Sequence, residues 1–89
     1  MIIKNLIIKN KLGLHARASA KFVALALKFL SNIEVKTENK TVNGKSIMGI
    51  MSLAAGYGNN ITLSINGDDE LHMAEALTNL INNKFDEQE

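Results

Sequence analysis

Gly13-Leu14-His15-Ala16-Arg17-Ala18-Ser19 sets an imidazole and a guanidinium two residues apart. The stretch lies where a strand-like apolar pattern, Met1 to Ile8, gives way to a helical one over 16–30. A neutral imidazole is a nucleophile, and a guanidinium stays charged and can fork onto phosphate oxygens. The first backbone N–H groups of a helix have no partner inside it and carry the positive end of its dipole, so a helix start suits an anion. Within one helical turn these three features describe a histidine that takes up a phosphoryl group. The same residues also fit a plainer arrangement, a capping or loop histidine beside a solvated arginine, and spacing alone does not separate the two.

The rest of the chain must build a frame for that stretch. At 89 residues it has room for one domain and one modest core. Its 46% hydrophobic content is that of a globular protein. No apolar run reaches the roughly 20 residues of a membrane span, and no signal-peptide pattern opens the chain. With no cysteine there is neither a disulfide nor a thiolate metal site, and two separate histidines, His15 and His72, make no metal cluster. The expectation is a cytoplasmic protein without metal or cofactor.

Charge is segregated. Residues 1–67 carry nine Lys or Arg against two acids, a net +7, and residues 68–89 carry one Lys against seven acids, a net −6. A basic face toward an acidic partner or a phosphate follows. Nucleic acid is the competing explanation and the weaker one, because the lysines are scattered and an aromatic content of 4% leaves few stacking platforms, so none is expected as a partner.

Strands are predicted at 1–8, 33–37, 41–43 and 61–65, the last alternating most cleanly. The first is expected to be buried on part of both faces. The first helix carries two apolar stripes, Ala16, Ala20, Val23, Leu27 and Leu30, and Phe22, Ala26 and Phe29. That exceeds one core-facing stripe, so either the helix is widely buried or part of it is a docking surface. Asn32 is expected to supply a left-handed turn closing it. Ser46 stands as N-cap before a short helical pattern, Ile47, Met48, Ile50 and Met51, an adaptable contact patch or ordinary core. A last helix buries Leu71, Ala74, Leu77 and Ile81, with Leu80 and Phe85 extending the face. His72 falls on its surface, and the acidic tail 85–89 is expected to fray. The order β-α-β-β-α-β-α gives an α+β, open-faced two-layer sandwich, a four-stranded antiparallel sheet with three helices on one face.

Asn10-Lys11-Leu12-Gly13-Leu14-His15-Ala16-Arg17-Ala18-Ser19 and Val42-Asn43-Gly44-Lys45-Ser46-Ile47-Met48-Gly49, at their mutual spacing, resemble the HPr family across the whole chain. These are the histidine phosphocarriers of the bacterial phosphoenolpyruvate:sugar phosphotransferase system. The resemblance implies a sheet in strand order 1-4-2-3. It implies that His15 receives a phosphoryl group on Nδ1 from enzyme I and passes it to IIA domains of sugar transporters, with Arg17 steadying it. Ser46 matches the family's regulatory serine, the target of HPr kinase/phosphorylase. Such a chain is a carrier and not a stand-alone enzyme, and a monomer suits it. A purely regulatory phosphoprotein, such as the family's nitrogen-related paralogue, is the alternative.

Two departures stand out. Ala18 replaces a proline common after the arginine, leaving the first turn looser. Ala24, Leu25 and Leu27 stand where relatives often carry lysines, which shifts docking from charge toward apolar contact. Partners are therefore expected on Ala16, Ala20 and Leu27 together with Ile47, Met48 and Met51, rimmed by Arg17, Lys21 and Lys45.

Overall fold

Clean alternation along β4 (Asn60–Asn66) makes it the centre of the sheet: Ile61, Leu63 and Ile65 are buried and the residues between them face outward. In the computed structural model, which describes residues 1–87, this strand pairs antiparallel with β1 (Ile2–Ile7), Leu6 opposite Ile61 and Ile2 opposite Ile65. On its other side it pairs with β2 (Asn32–Lys36), setting Ile33 against Ile65 and Val35 against Leu63. β3 (Thr41–Asn43) completes the sheet, Val42 opposite Val35. The order β1-β4-β2-β3 and the antiparallel pairing are those expected.

The helices α1 (Ala16–Ala26), α2 (Ile47–Ser52) and α3 (Glu70–Asn82) cover one face of the sheet. Phe22, Val23 and Ala26 from α1, Ile50 from α2, and Met73, Ala74, Leu77 and Ile81 from α3 meet the strand side chains in one core. The other face stays open. There β1 departs from expectation: Ile3 and Ile7 are about half exposed, because alternation turns them away from the only covered face.

Burial cuts across the two stripes of the first helix: Val23 of the first joins the core, and Phe29 of the second is only partly buried. Phe22 and Ala26 are in the core, whereas Ala16, Ala20, Leu27 and Leu30 are exposed. The helix also ends at Ala26 and not at Leu30, tightening through bonds from Lys28 N–H to Leu25 O (3.1 Å) and Phe29 N–H to Ala26 O (3.2 Å). Asn32 does not close it with a left-handed turn, but opens β2. The amides there find a distant carboxylate instead. Leu30 N–H and Ser31 N–H donate to Asp69 (2.8 and 2.9 Å), and so does the Ser31 hydroxyl.

The Ser31 hydroxyl foremost, then the Leu30 amide, hold the Asp69 carboxyl below its ordinary 3.8. A depressed folded value means the contribution is complete above about 3.8 and is lost as pH falls through the lower folded value. Asp69→Asn is therefore expected to lower the thermal midpoint by a few degrees at neutral pH. The gap should close in acid, and melts giving the same gap on both sides of that window would refute it.

In α3 the buried face begins at Met73, and Leu71, expected inside, is exposed. The tail does not fray over 85–87. Lys84, Phe85 and Asp86 take left-handed backbone (φ 59°, 56° and 62°), turning the chain back so that Phe85 is fully buried. Gln88 and Glu89, also expected to fray, lie outside the described residues.

Candidate functional site

The loop before α1 is held by backbone geometry. Gly13 has φ +68°, and a Cβ there would lie 2.5 Å from Ala55 O and 2.6 Å from Gly56 Cα, so no side chain fits. Leu14 N–H donates to Ala55 O (2.9 Å), the buried Asn10 Nδ2 donates to Gly13 O (2.8 Å), and Ser19 Oγ donates to Leu14 O (3.1 Å). Together these bonds fix the chain on both sides of His15.

His15 is the N-cap of α1, with extended backbone (φ −74°, ψ 179°). Its C=O accepts the first helical bond from Ser19 N–H (2.9 Å), but its ring makes no cap bond. The helix start is thus left without a side-chain cap beside an imidazole that is about a quarter exposed. Nε2 of that ring lies 2.6 Å from Glu87 Oε2. Glu87 Oε1 accepts in turn from Asn10 Nδ2 (3.1 Å). Burial alone would raise the Glu87 carboxyl, but the bonds from His15 and Asn10, with the charges of His15 and Lys21, bring it below its usual 4.5.

Arg17, exposed on the first turn of α1, forms no ion pair among the described residues. Ser46 is the N-cap of α2 as its type suggests, its Oγ accepting from Gly49 N–H (3.0 Å). Gly49 is a poor helix former, yet a Cβ there would crowd Ser46 Oγ and Val42 Cβ at 3.3 Å, so the close cap depends on it. Met48, Leu27, Ile47 and Met51 are all substantially exposed, Met48 at 79%. α1 and α2 pack together, so these apolar side chains belong to neighbouring helices. The two lysines expected to rim them are engaged within the chain. Lys21 Nζ donates to Phe85 O (2.7 Å) and Lys45 Nζ to Phe29 O (2.8 Å). His72 is exposed on α3, as expected.

Residues 2–83 match the family described as the PTS HPr component phosphorylation site. The chain is 51% identical to the phosphocarrier protein HPr of Neisseria meningitidis over all of both sequences. The crystal structure of HPr-C-His from Thermoanaerobacter tengcongensis superposes with a TM-score of 0.95 at 53% identity, covering all of both chains. This chain belongs to the HPr family.

It is accordingly an HPr-type phosphocarrier of the phosphotransferase system. A second structure from T. tengcongensis, described as an HPr dimer, matches at 56% identity and a TM-score of 0.78 over 92% of this chain and 94% of that one.

What the sequence reading of this HPr-family site missed is Glu87, and with it the role of Asn10. An acid in a charged tail, 72 residues from His15, carries no local sign of its partner. The one available signal was Phe85, a large apolar residue with no reason to stand in a frayed tail.

Proposed function

We propose that this phosphocarrier takes its phosphoryl group on Nδ1 of His15 from phosphorylated enzyme I and hands it to IIA domains of sugar transporters. One observation supports the reading above others: a partly exposed imidazole at a helix N-cap whose ring leaves the helix amides uncapped. Incoming phosphoryl oxygens then meet N–H donors and the positive end of the helix, with the exposed guanidinium of Arg17 within the same turn. Little else is needed, since phosphoryl transfer depends mainly on positioning and charge stabilisation. Incubation with phosphoenolpyruvate and enzyme I tests this: phosphorus NMR should show one acid-labile phosphohistidine, and an unlabelled chain defeats the reading.

Ala16, Ala20 and Leu27 with Ile47, Met48 and Met51 form the surface on which these partners alternate. Because Lys21 and Lys45 are drawn to carbonyls, Arg17 supplies the freest charge at its rim. Such a carrier works in the cytoplasm as a monomer, bound to neither nucleic acid nor membrane. No helix among the described residues is long and apolar enough to cross a bilayer.

Ser46 is the regulatory site in this reading, phosphorylated by HPr kinase/phosphorylase. A phosphate there adds about −1.5 to −2 charges at a helix start, which the helix tolerates and an acidic partner does not. The result is an electrostatic gate and not a refolding. Ser46→Asp keeps a capping side chain and adds charge, so its thermal midpoint should hold while transfer from enzyme I slows by about tenfold, equivalent to ~1.4 kcal/mol of repulsion on docking. An unchanged rate removes the gate.

A further inference from the structure

Resting on that phosphocarrier reading, we infer that Glu87 is a positioning residue for the transfer. Its carboxylate keeps a proton on Nε2 of His15, so that Nδ1 is the nucleophile and the phosphorylated ring later departs as neutral imidazole.

The contact itself dictates the tautomer. An ionised carboxylate only accepts hydrogen bonds, so Glu87 Oε2 at 2.6 Å from Nε2 requires the hydrogen on Nε2. In the neutral ring Nδ1 then carries the lone pair. The carboxylate is itself fixed. Its second oxygen is held by Asn10 Nδ2 (3.1 Å), and Asn10 is fully buried and anchored to Gly13 O. Two residues earlier Phe85 is in the core and its carbonyl accepts from Lys21. Asn10, Glu87 and His15 thus form a chain in which each group orients the next, the arrangement by which a carboxylate holds a working imidazole in one tautomer elsewhere in protein chemistry. The net lowering of the Glu87 carboxyl agrees with an ionised group in this place.

The transfer balances without any proton leaving the ring. The Nδ1 lone pair attacks the phosphorus of a phosphoimidazole donor. A P–N bond to His15 forms, the P–N bond to the donor breaks, and that electron pair returns to the donor nitrogen. The His15 ring, with phosphoryl on Nδ1 and hydrogen on Nε2, gains a positive charge facing Glu87. In the onward step the pair of the breaking P–N bond returns to Nδ1, and the ring leaves neutral. Had Nε2 lost its hydrogen, the leaving group would be an imidazolate, a far stronger base and a poorer leaving group.

Nitrogen NMR of the His15 ring near neutral pH, with rates of phosphoryl acceptance and onward transfer, tests this on the full chain. The wild type should show the Nε2–H tautomer. Glu87→Ala should give a mixture of tautomers and slow onward transfer by about tenfold, the lower end of what losing an orienting partner costs a working histidine. Glu87→Gln, which keeps an acceptor oxygen without charge, should retain the tautomer yet still slow the onward step. A merely structural Glu87 would move the melting temperature and neither of these. An Ala variant with the wild-type tautomer, or with both rates unchanged, overturns the proposal. A wild type whose tautomer answers to Glu87 but which takes no phosphoryl group supports the ring positioning and overturns the carrier reading instead.

Discussion

Alanine at position 15 is expected to take phosphoryl acceptance to background. No other side chain stands at the start of α1 with a nitrogen able to attack phosphorus; Arg17 is a permanently charged guanidinium without a lone pair to offer. The loss should be chemical and not conformational. The His15 ring caps nothing, and the loop that carries it is held by Gly13, Leu14, Asn10 and Ser19 through bonds that alanine leaves in place. Of its side-chain contacts only the bond to Glu87 is lost, so folding should weaken by about 1.5–3 kcal/mol, the range for a hydrogen bond to a charged group, with the fold kept. Radiolabel from phosphoenolpyruvate by way of enzyme I, measured beside a circular dichroism spectrum, separates the two effects. Label persisting on a folded His15→Ala chain would place the phosphoryl group elsewhere.

The largest effect on stability is expected from Phe85→Ala. Two terms oppose each other. Removing a fully buried aromatic ring loses its burial and leaves a cavity, together about 3–5 kcal/mol. Phe85 also sits at φ 56°, where an L-residue is strained by roughly 1–2 kcal/mol. Alanine has a Cβ as well, so only part of that strain is relieved, and the cavity decides the outcome. A net loss of about 3 kcal/mol is a large share of the roughly 5–15 kcal/mol that holds a small domain folded. It should appear as a lower denaturant midpoint with an unchanged slope. The turn that delivers Glu87 to the ring should loosen at the same time. A midpoint within error of the wild type would mean that the core does not depend on this residue.

Local physics made most of the fold legible in the sequence. Alternation in β4 and β2, the serine before α2, and the order of elements all depend on neighbours a few residues apart, and each stands where the pattern placed it. The errors share a cause. Leu27 and Leu30 keep the apolar period and so predict a helix running to Leu30, though neither faces the core. Asn tolerates a closing left-handed turn, which makes Asn32 the local choice, while the amides of Leu30 and Ser31 go to Asp69, 39 and 38 residues away. Spacing alone points Leu71 inward, whereas the buried face begins at Met73. At the site, the imidazole and the guanidinium are visible in seven consecutive residues. The carboxylate that orients the ring is not, because its partnership is made by tertiary folding.

The charge segregation also acquires an internal meaning. The chain leaving α1 is held by Asp69, through Leu30 and Ser31, and the start of α1 by Glu87, through His15 and Asn10. Both carboxylates belong to the acidic last quarter of the chain, which also brings Met73, Ala74, Leu77, Ile81 and Phe85 to the core. A piece of the chain that stops at the end of β4 therefore carries the His15 sequence without the segment that clasps its helix. Such a piece lacks the carboxylate that meets the His15 ring, so the motif alone does not complete the site.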